Sequence, residues 1–597
     1  MSDIKMTIPD LQDAYARGVT AADVVAQVFA RIAEVNDPGI FLTLPSLEEV
    51  TKAANALGSY DPSLPLWGVP FVVKDNIDVA GYETTAACPA YAYTPTEDAF
   101  VVAQLRAAGA IFIGKTNLDQ FATGLVGVRT PYGAPLNAID PEIVPGGSSG
   151  GSGVSVGHGI VPLSLGTDTA GSGRVPAALN NIVGLKPTLG ALSATGVVPA
   201  CRSIETISIF AMTVSDAYAA YQVCCAYDPE DAFARPIKAP ALAARATAPV
   251  IGIPSPDSIK FLGDDVQKAS FLAAVDLLRS DGAEIREIDF TPLYDVAQML
   301  YEGAWVAERY TVIEELLKSD PDAILPVTRL IIGKAEELSA ADAFRGIYRL
   351  KELARVAEPS LADVDMLCVP TIPTFHTVAE LEADPVTPNS NFGTYTNFVN
   401  LLDMCGIAVP VPARSDGRPG SVTLLAQAGK DGDVAEVALT LEAAGQRNLG
   451  ATNWPFVAPA PLETPEPSGF KIAVCGAHLS GLPLNHQLTD RGAVLLDTPR
   501  TSDAYRFYAL AGGPPARPGL TRGQAGSGAE IELEIWSLPF AEVGSFLAGI
   551  PAPLGIGSIE LSDGTLVQGF LCESVATETA TDITEMKSWR SYLATLA

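Results

Sequence analysis

The stretch PGGSSGGSGVSVGHGIVPLSLGTDTAGSGRVPAALNNIVGLKP, residues 145–187, decides how this chain is read. Serine and glycine crowd its first half, which invites three generic interpretations. A phosphate-binding P-loop needs Lys-Ser or Lys-Thr after its second glycine, and neither is present. A dinucleotide loop needs GxGxxG between a strand and a helix, and the fit is poor. Gly147–Gly151 does satisfy GxSxG, with Ser149 as the nucleophile of an α/β-hydrolase. That reading calls for a downstream acid and a histidine, and His376, His478 and His486 are the only later histidines. Taken by composition alone, the stretch is equally compatible with a flexible loop that does no chemistry.

Outward from this stretch, strands alternate with helices. WGVPFVVKDN (67–76) reads as a strand ending in a polar turn, and AIFIG (110–114) as a short buried strand after a helix from Phe100 to Ala108. Residues 20–34 form a helical pattern, with Thr20 as cap, Asp23 three residues on, and Val25, Val28, Phe29 and Ile32 on one face. Phe271, Ala274, Val275 and Leu278 make another helical stripe, which Gly282 can end before the strand-like EIREIDF. Such alternation predicts an α/β architecture around a mixed sheet flanked by helices.

Near residue 446 the composition changes. QRNLGATNWPFVAPAPLETPEPSG carries five prolines and reads as an extended linker. FKIAVCG (470–476) then opens a fresh strand, followed by IELEIWSLP, a glycine-rich loop at 523–528 and GSIELSDGTLVQGFLCE. The expected organisation is a large domain at 1–445, a linker at 446–469 and a small β-rich α+β domain at 470–597.

The segment resembles the amidase signature family. GGSSGGS, GTDTAGSGRVP and GLKPT match in order, as do the upstream GVPFVVKDN and GKTNLDQFATG. The resemblance implies the amidase signature fold and assigns roles position by position. Lys74 matches the catalytic lysine, Ser148 a bridging serine that the family holds through a cis peptide bond, and Ser172 the nucleophile. The backbone N–H groups of Thr169, Ala170, Gly171 and Ser172 match the oxyanion hole. Asp168 and Arg174 read as an ion pair bracing this loop, and His158 as structural.

Those residue types suit the chemistry. A serine hydroxyl is a weak nucleophile and needs a base at hydrogen-bond distance. Lysine serves only when neutral, so its pKa must fall well below about 10.4. Its place after the apolar run Val69–Val73 favours that fall. Ser148 would carry the proton between Ser172 and Lys74 and return it to the leaving amine.

GKTNLDQFATGLVGVRTPYG (114–133) and YEGAWVAERY (301–310) resemble the allophanate hydrolase branch of the family, as do GAHLSGLPLNHQL (476–488) and the YRFYAL…PARPGL stretch. Allophanate is a urea bearing a carboxylate, and arginine binds a carboxylate through paired N–H donors. By resemblance Arg309 takes that role, Tyr301 helps to position the substrate and Gly124 lines the pocket through its backbone. A spacing of eight on one helix would put Tyr301 and Arg309 on one face. The competing reading pairs Arg309 with Glu302 or Glu308 at the surface. The branch releases ammonia from allophanate and leaves N-carboxycarbamate. Its small domain, with His486 as the matched residue, is implicated in decarboxylating that product. Two alternatives stand beside this: the amidase subunit of a tRNA-dependent amidotransferase, or a small-amide amidase with a non-catalytic carboxy-terminal binding module.

Composition bounds the rest. With 48% hydrophobic and 18% charged residues over 597 positions, the chain has ample apolar content for more than one core. A net charge of −31 makes nucleic acid and anionic membranes poor partners. No stretch reaches the roughly 20 apolar residues of a membrane span, and the amino terminus lacks a signal-peptide pattern, so the cytoplasm is expected. Eight scattered cysteines form no CxxC and there are four histidines, so no metal and no cofactor is expected. No biotin-attachment sequence is present, and EMKS (585–588) is not one. Allophanate would therefore come from a separate urea carboxylase or another source. The resemblance implies a homodimer.

Overall fold

The computed structural model describes residues 4–245, 248–462 and 469–596. The chain divides into two compact units, residues 1–462 and 463–597. In the first, eleven strands form one mixed sheet among the described residues. Pro70–Lys74, Ile111–Thr116 and Leu163–Thr167 lie side by side and parallel, whereas Ile207–Ala211 joins antiparallel. Helices flank the sheet, as an α/β chain with alternating elements requires.

Local chemistry explains the helix ends. The Thr20 hydroxyl accepts the Asp23 N–H at 3.2 Å, while the Asp23 carboxylate accepts the Thr20 N–H at 2.9 Å. Two donors that a helix start would leave unpaired are thus satisfied reciprocally. Ala21–Val35 then buries Val24, Val25 and Val28 against the sheet. Loss of the Thr20 cap would cost about 1 kcal/mol. Asp265–Ser280 buries Phe271, Ala274, Val275 and Leu278, the stripe expected from the sequence.

The glycine-rich stretch is ordered and central. Gly150–Gly157 is a helix of which every residue is buried. It runs so close to its neighbours that a Cβ on Gly151 would meet the Ile40 carbonyl oxygen at 2.4 Å. The glycines therefore serve close backbone packing rather than flexibility.

Residues 447–462 are held on the first unit. Arg447 donates to the Glu442 carboxylate at 2.5 Å and to the Met212 carbonyl at 2.9 Å. Trp454, Phe456 and Leu462 pack, partly buried, on that unit's core. The remainder of the proline-rich run, 463–468, lies outside the described residues.

The second unit carries its own sheets and core. Phe470–Val474 pairs with Glu534–Leu538 and Leu566–Cys572 within a five-stranded sheet, and a three-stranded sheet is built around Tyr505–Ala509. Trp536, Phe507, Phe570 and Trp589 anchor the apolar core between these elements. The mixed sheet with flanking helices and the small β-rich second unit agree with the fold expected from the sequence.

Candidate active site

Lys74 ends the strand Pro70–Lys74, at the same edge of the sheet as Thr167, which ends its parallel neighbour. Ligand sites in such sheets lie beyond the carboxyl ends of the strands. Here Lys74 Nζ donates to Ser148 Oγ at 2.8 Å and to Thr167 Oγ1 at 2.7 Å. Ser148 Oγ in turn lies 2.9 Å from Ser172 Oγ. The Gly147–Ser148 peptide bond is cis. Lys74 and Ser148 are fully buried and Ser172 is nearly so.

Burial draws the Lys74 ammonium down to about 8, against the opposing charges of Glu205, Asp119 and Asp168. At pH 7 about a tenth of the amine is then neutral, and the neutral share grows with pH. Glu205 is itself buried, takes the Ala200 N–H on its carboxylate at 2.7 Å, and is raised above the usual carboxylate range by desolvation.

The loop bearing Ser172 is folded around one carboxylate. Asp168 accepts the N–H of Gly171 at 2.9 Å and of Gly173 at 3.0 Å. Arg174 grips the same carboxylate with Nε and Nη2, each at 2.9 Å, in a pair with no exposed side-chain surface. This is the bracing pair expected from the sequence. Gly171 has a φ of +136°, and a Cβ there would meet Thr396 Oγ1 at 2.6 Å. With the Gly171 N–H spent on Asp168, the N–H groups of Thr169, Ala170 and Ser172 find no acceptor among the described residues.

Ser149 faces elsewhere. Its hydroxyl donates to the Thr167 carbonyl at 3.3 Å and accepts the Thr167 N–H at 3.4 Å. Among the described residues, no histidine hydrogen-bonds to Ser148, Ser149 or Ser172: His158 and His376 have other neighbours. Nothing in this geometry equips Ser149 as the nucleophile of a GxSxG elbow.

Arg309 is 2% exposed. Among the described residues its Nη1 makes only long contacts, 3.3 Å to Thr123 Oγ1 and 3.5 Å to the Ala122 carbonyl, while Nε and Nη2 have no acceptor. The guanidinium lies 5.2 Å from the Tyr301 ring, whose hydroxyl is also buried without a partner among the described residues. Tyr301 and Arg309 do not share one helix, contrary to the spacing argument. Thr291–Glu302 stops at the extended Gly303, and Trp305–Ser319 begins afresh, so a break in the chain brings the two side chains together. Glu308 is engaged by Ser203, at 2.6 Å to its N–H and 2.7 Å to its hydroxyl. The Glu302 side chain lies outside what is described. Gly124 adjoins Thr123, and a Cβ on it would meet Asp119 Oδ2 at 2.5 Å.

In the second unit, His486 is exposed and places Nδ1 3.0 Å from the Pro483 carbonyl. A cavity of about 250 Å³ nearby is lined by His478, Gln487, Arg517, Phe546 and Phe570, and not by His486. His478 stacks on Phe570 and contacts Gln487 Oε1 at 3.0 Å. Sequence reasoning passed over His478, Thr167, Glu205 and Asp119. Thr167 lies inside the GTDTAGS motif, and that membership was the available signal. No group of three or more His, Cys, Asp or Glu among the described residues is arranged to hold a metal ion. No helix among them is long and apolar enough to cross a membrane.

Known proteins share this arrangement of domains. Residues 23–434 match the family described as Amidase, and residues 470–594 match the allophanate hydrolase C-terminal domain. The chain is 46% identical over 545 residues to urea amidolyase of Saccharomyces cerevisiae, covering 89% of this chain and 30% of that protein. It thus spans about a third of the length of the first curated relatives it matches. It is 34% identical to a glutamyl-tRNA(Gln) amidotransferase subunit of Carboxydothermus hydrogenoformans, over 72% of this chain and 94% of that one. Among solved structures, allophanate hydrolase of Kluyveromyces lactis superposes with a TM-score of 0.82 at 41% identity, each chain covered in full.

Proposed function

Because the chain belongs to the amidase family and ends in an allophanate hydrolase C-terminal domain, we propose that it hydrolyses allophanate through Ser172, Ser148 and Lys74. The observation that carries this reading is the buried relay from Lys74 Nζ to Ser148 Oγ, 2.8 Å, and on to Ser172 Oγ, 2.9 Å.

In this mechanism Ser172 Oγ attacks the terminal amide carbon of allophanate. Its proton passes to Ser148, whose own proton passes to neutral Lys74. The developing oxyanion is met by the free N–H groups of Thr169, Ala170 and Ser172, with Gly171 shaping the loop. As the tetrahedral species collapses, the C–N bond breaks and the leaving amine takes the relayed proton to depart as ammonia. Water, deprotonated through the same relay, then attacks the acyl-serine and releases N-carboxycarbamate. Arg309 holds the substrate carboxylate with its unpaired N–H donors. Tyr301 adds a hydroxyl, and Gly124 lines the pocket through its backbone.

The second unit assists decarboxylation of that product. Its 250 Å³ cavity, with His478 and Arg517 in the lining, suits a small carboxylated molecule. His486, matched by resemblance, stands outside this lining and would act from the rim. The working enzyme is read as a cytoplasmic homodimer that draws allophanate from a urea carboxylation step. It needs no cofactor of its own for hydrolysis.

Ammonia release from allophanate, malonamate, biuret and glutamine tests the reading. Preference for allophanate is expected, and a preference for glutamine would overturn it. A chain ending at Leu462 tests the second unit. Ammonia release should persist while N-carboxycarbamate accumulates, and unchanged product breakdown would remove that unit from the reaction.

A further inference from the structure

Arg309 is not the only buried guanidinium at this site. Arg129 is 5% exposed. Its Nη1 donates to the Thr123 carbonyl at 2.9 Å and its Nη2 to the Pro385 carbonyl at 2.7 Å, while Nε has no acceptor among the described residues. Arg309 reaches the same residue from its other side, through Thr123 Oγ1. Two buried cations therefore share Thr123, immediately before Gly124.

The carboxylate beside Arg129 does not pair with its guanidinium. Asp119 spends its oxygens on backbone, taking the N–H groups of Val126 at 3.2 Å, Gly127 at 3.0 Å and Arg129 at 2.8 Å. Among the described residues, carbonyl and hydroxyl oxygens are the only acceptors of either guanidinium. Burial, and the neighbouring Arg309 charge, draw Arg129 below its ordinary range, while Asp119 and Tyr301 oppose that fall. Removing a cation from water is costly unless a counter-charge or a full set of acceptors replaces the hydration. Here neither guanidinium hydrogen-bonds to a carboxylate among the described residues: Asp119 beside Arg129, and Glu205 and Glu308 beside Arg309, act only through space. An anion arriving beside the two cations relieves the cost twice over, once for each charge, whereas a neutral ligand relieves neither.

We propose that Arg129 is a second specificity-determining residue, which selects carboxylated amides by its charge and positions the Thr123–Gly124 backbone by tying the Thr123 carbonyl to that of Pro385. The proposal rests on the reading that the substrate carries a carboxylate. Asp119 ties the loop to the reaction centre, since its N–H donates to the Ser148 carbonyl at 2.9 Å. A change at Arg129 is therefore felt first as substrate placement.

The test measures kcat and KM for allophanate and for propionamide in the full-length wild type, Arg129→Gln, Arg129→Lys and Arg309→Lys. Arg129→Gln should lower the allophanate-to-propionamide ratio of kcat/KM by about tenfold or more, chiefly through the KM for allophanate. Arg129→Lys keeps the charge but cannot hold both carbonyls, so its ratio should fall by less. If Arg129→Gln does not fold, the Lys variant decides alone: an unchanged ratio overturns the proposal. Equal losses on both substrates would make Arg129 a structural brace and also overturn it. A wild type with no preference for allophanate would instead sink the proposed function, and an effect of Arg309→Lys without one of Arg129 would sink only this inference.

Discussion

Lys74 and Ser148 meet at 2.8 Å across 74 residues of sequence, both fully buried, and the serine passes the contact on to Ser172 at 2.9 Å. Groups coupled in this way act as a unit, so removing any one should cost nearly what removing all would. Ser172→Ala and Lys74→Ala should each reduce kcat by at least about 10⁴-fold, and Ser148→Ala should also be severe. Ser149→Ala should be mild, because its hydroxyl serves the Thr167 backbone rather than the relay. Steady-state ammonia release checks the set. Activity that survived in Ser172→Ala and vanished in Ser149→Ala would restore the GxSxG elbow.

The pH dependence follows from the same lysine. Burial lowers Lys74 to about 8. In the proposed mechanism the neutral amine is the base, so kcat/KM should rise with pH through that value and fall below it. No histidine contributes this limb in the proposed mechanism. His158→Gln and His376→Gln should leave its midpoint in place, and a limb that disappeared with either substitution would remove Lys74 from the role of base.

How far the sequence could be read depended on the range of the interaction. The Thr20–Asp23 capping box was legible because it is complete within four residues. Lys74, Ser148 and Ser172 were nameable through motif resemblance, though only folding brings them together. Thr167 and Arg129 were not singled out, because their roles come from contacts across 93 and 256 residues. The Tyr301–Arg309 relationship was expected for the wrong reason: the helix breaks at Gly303, and two helices, not one face, create it. His486 was singled out by its motif, while the cavity wall is made by His478, which burial between Phe546 and Phe570 distinguishes.

Asp216 gives a prediction about stability. It is buried at the start of Val214–Cys224, takes the Ile8 N–H on Oδ1 at 3.2 Å, and leaves Oδ2 without a partner among the described residues. Desolvation, with Glu442 and Asp10 adding repulsion, raises its carboxyl to about 7, while the Ile8 and Thr213 contacts oppose the rise. In the unfolded chain it ionises at about 4, so the folded state binds more protons between those values. Its contribution to stability is therefore full below about pH 4 and is lost as pH rises through about 7. Asp216→Asn keeps the Ile8 contact without the charge. It should stabilise the first unit at pH 8 by on the order of 1–4 kcal/mol and have little effect at pH 4. Denaturant midpoints at the two pH values check this, and equal shifts at both would show that the buried charge is not the cause.

In the proposed mechanism, substrate recognition rests on the donors of Arg309 that have no acceptor among the described residues. Its Nε and Nη2 are buried without acceptors among the described residues, and the long Nη1 contacts to Ala122 and Thr123 leave the fork free for a carboxylate. Allophanate must shed water from its own carboxylate to reach Ser172, and an unpaired buried anion costs several kcal/mol. A planar guanidinium offsets that cost through two parallel N–H donors, whereas an ammonium offers a point charge. Arg309→Lys should therefore weaken allophanate turnover markedly while the relay to Ser172 stays intact. Arg309→Ala should lose more, about 2–5 kcal/mol in kcat/KM. Propionamide carries no carboxylate and should be hydrolysed as poorly by the variants as by the wild type. The ratio of the two substrates is the decisive quantity. If it does not change, the carboxylate is held elsewhere and the buried guanidinium serves the packing of the Thr123 loop alone.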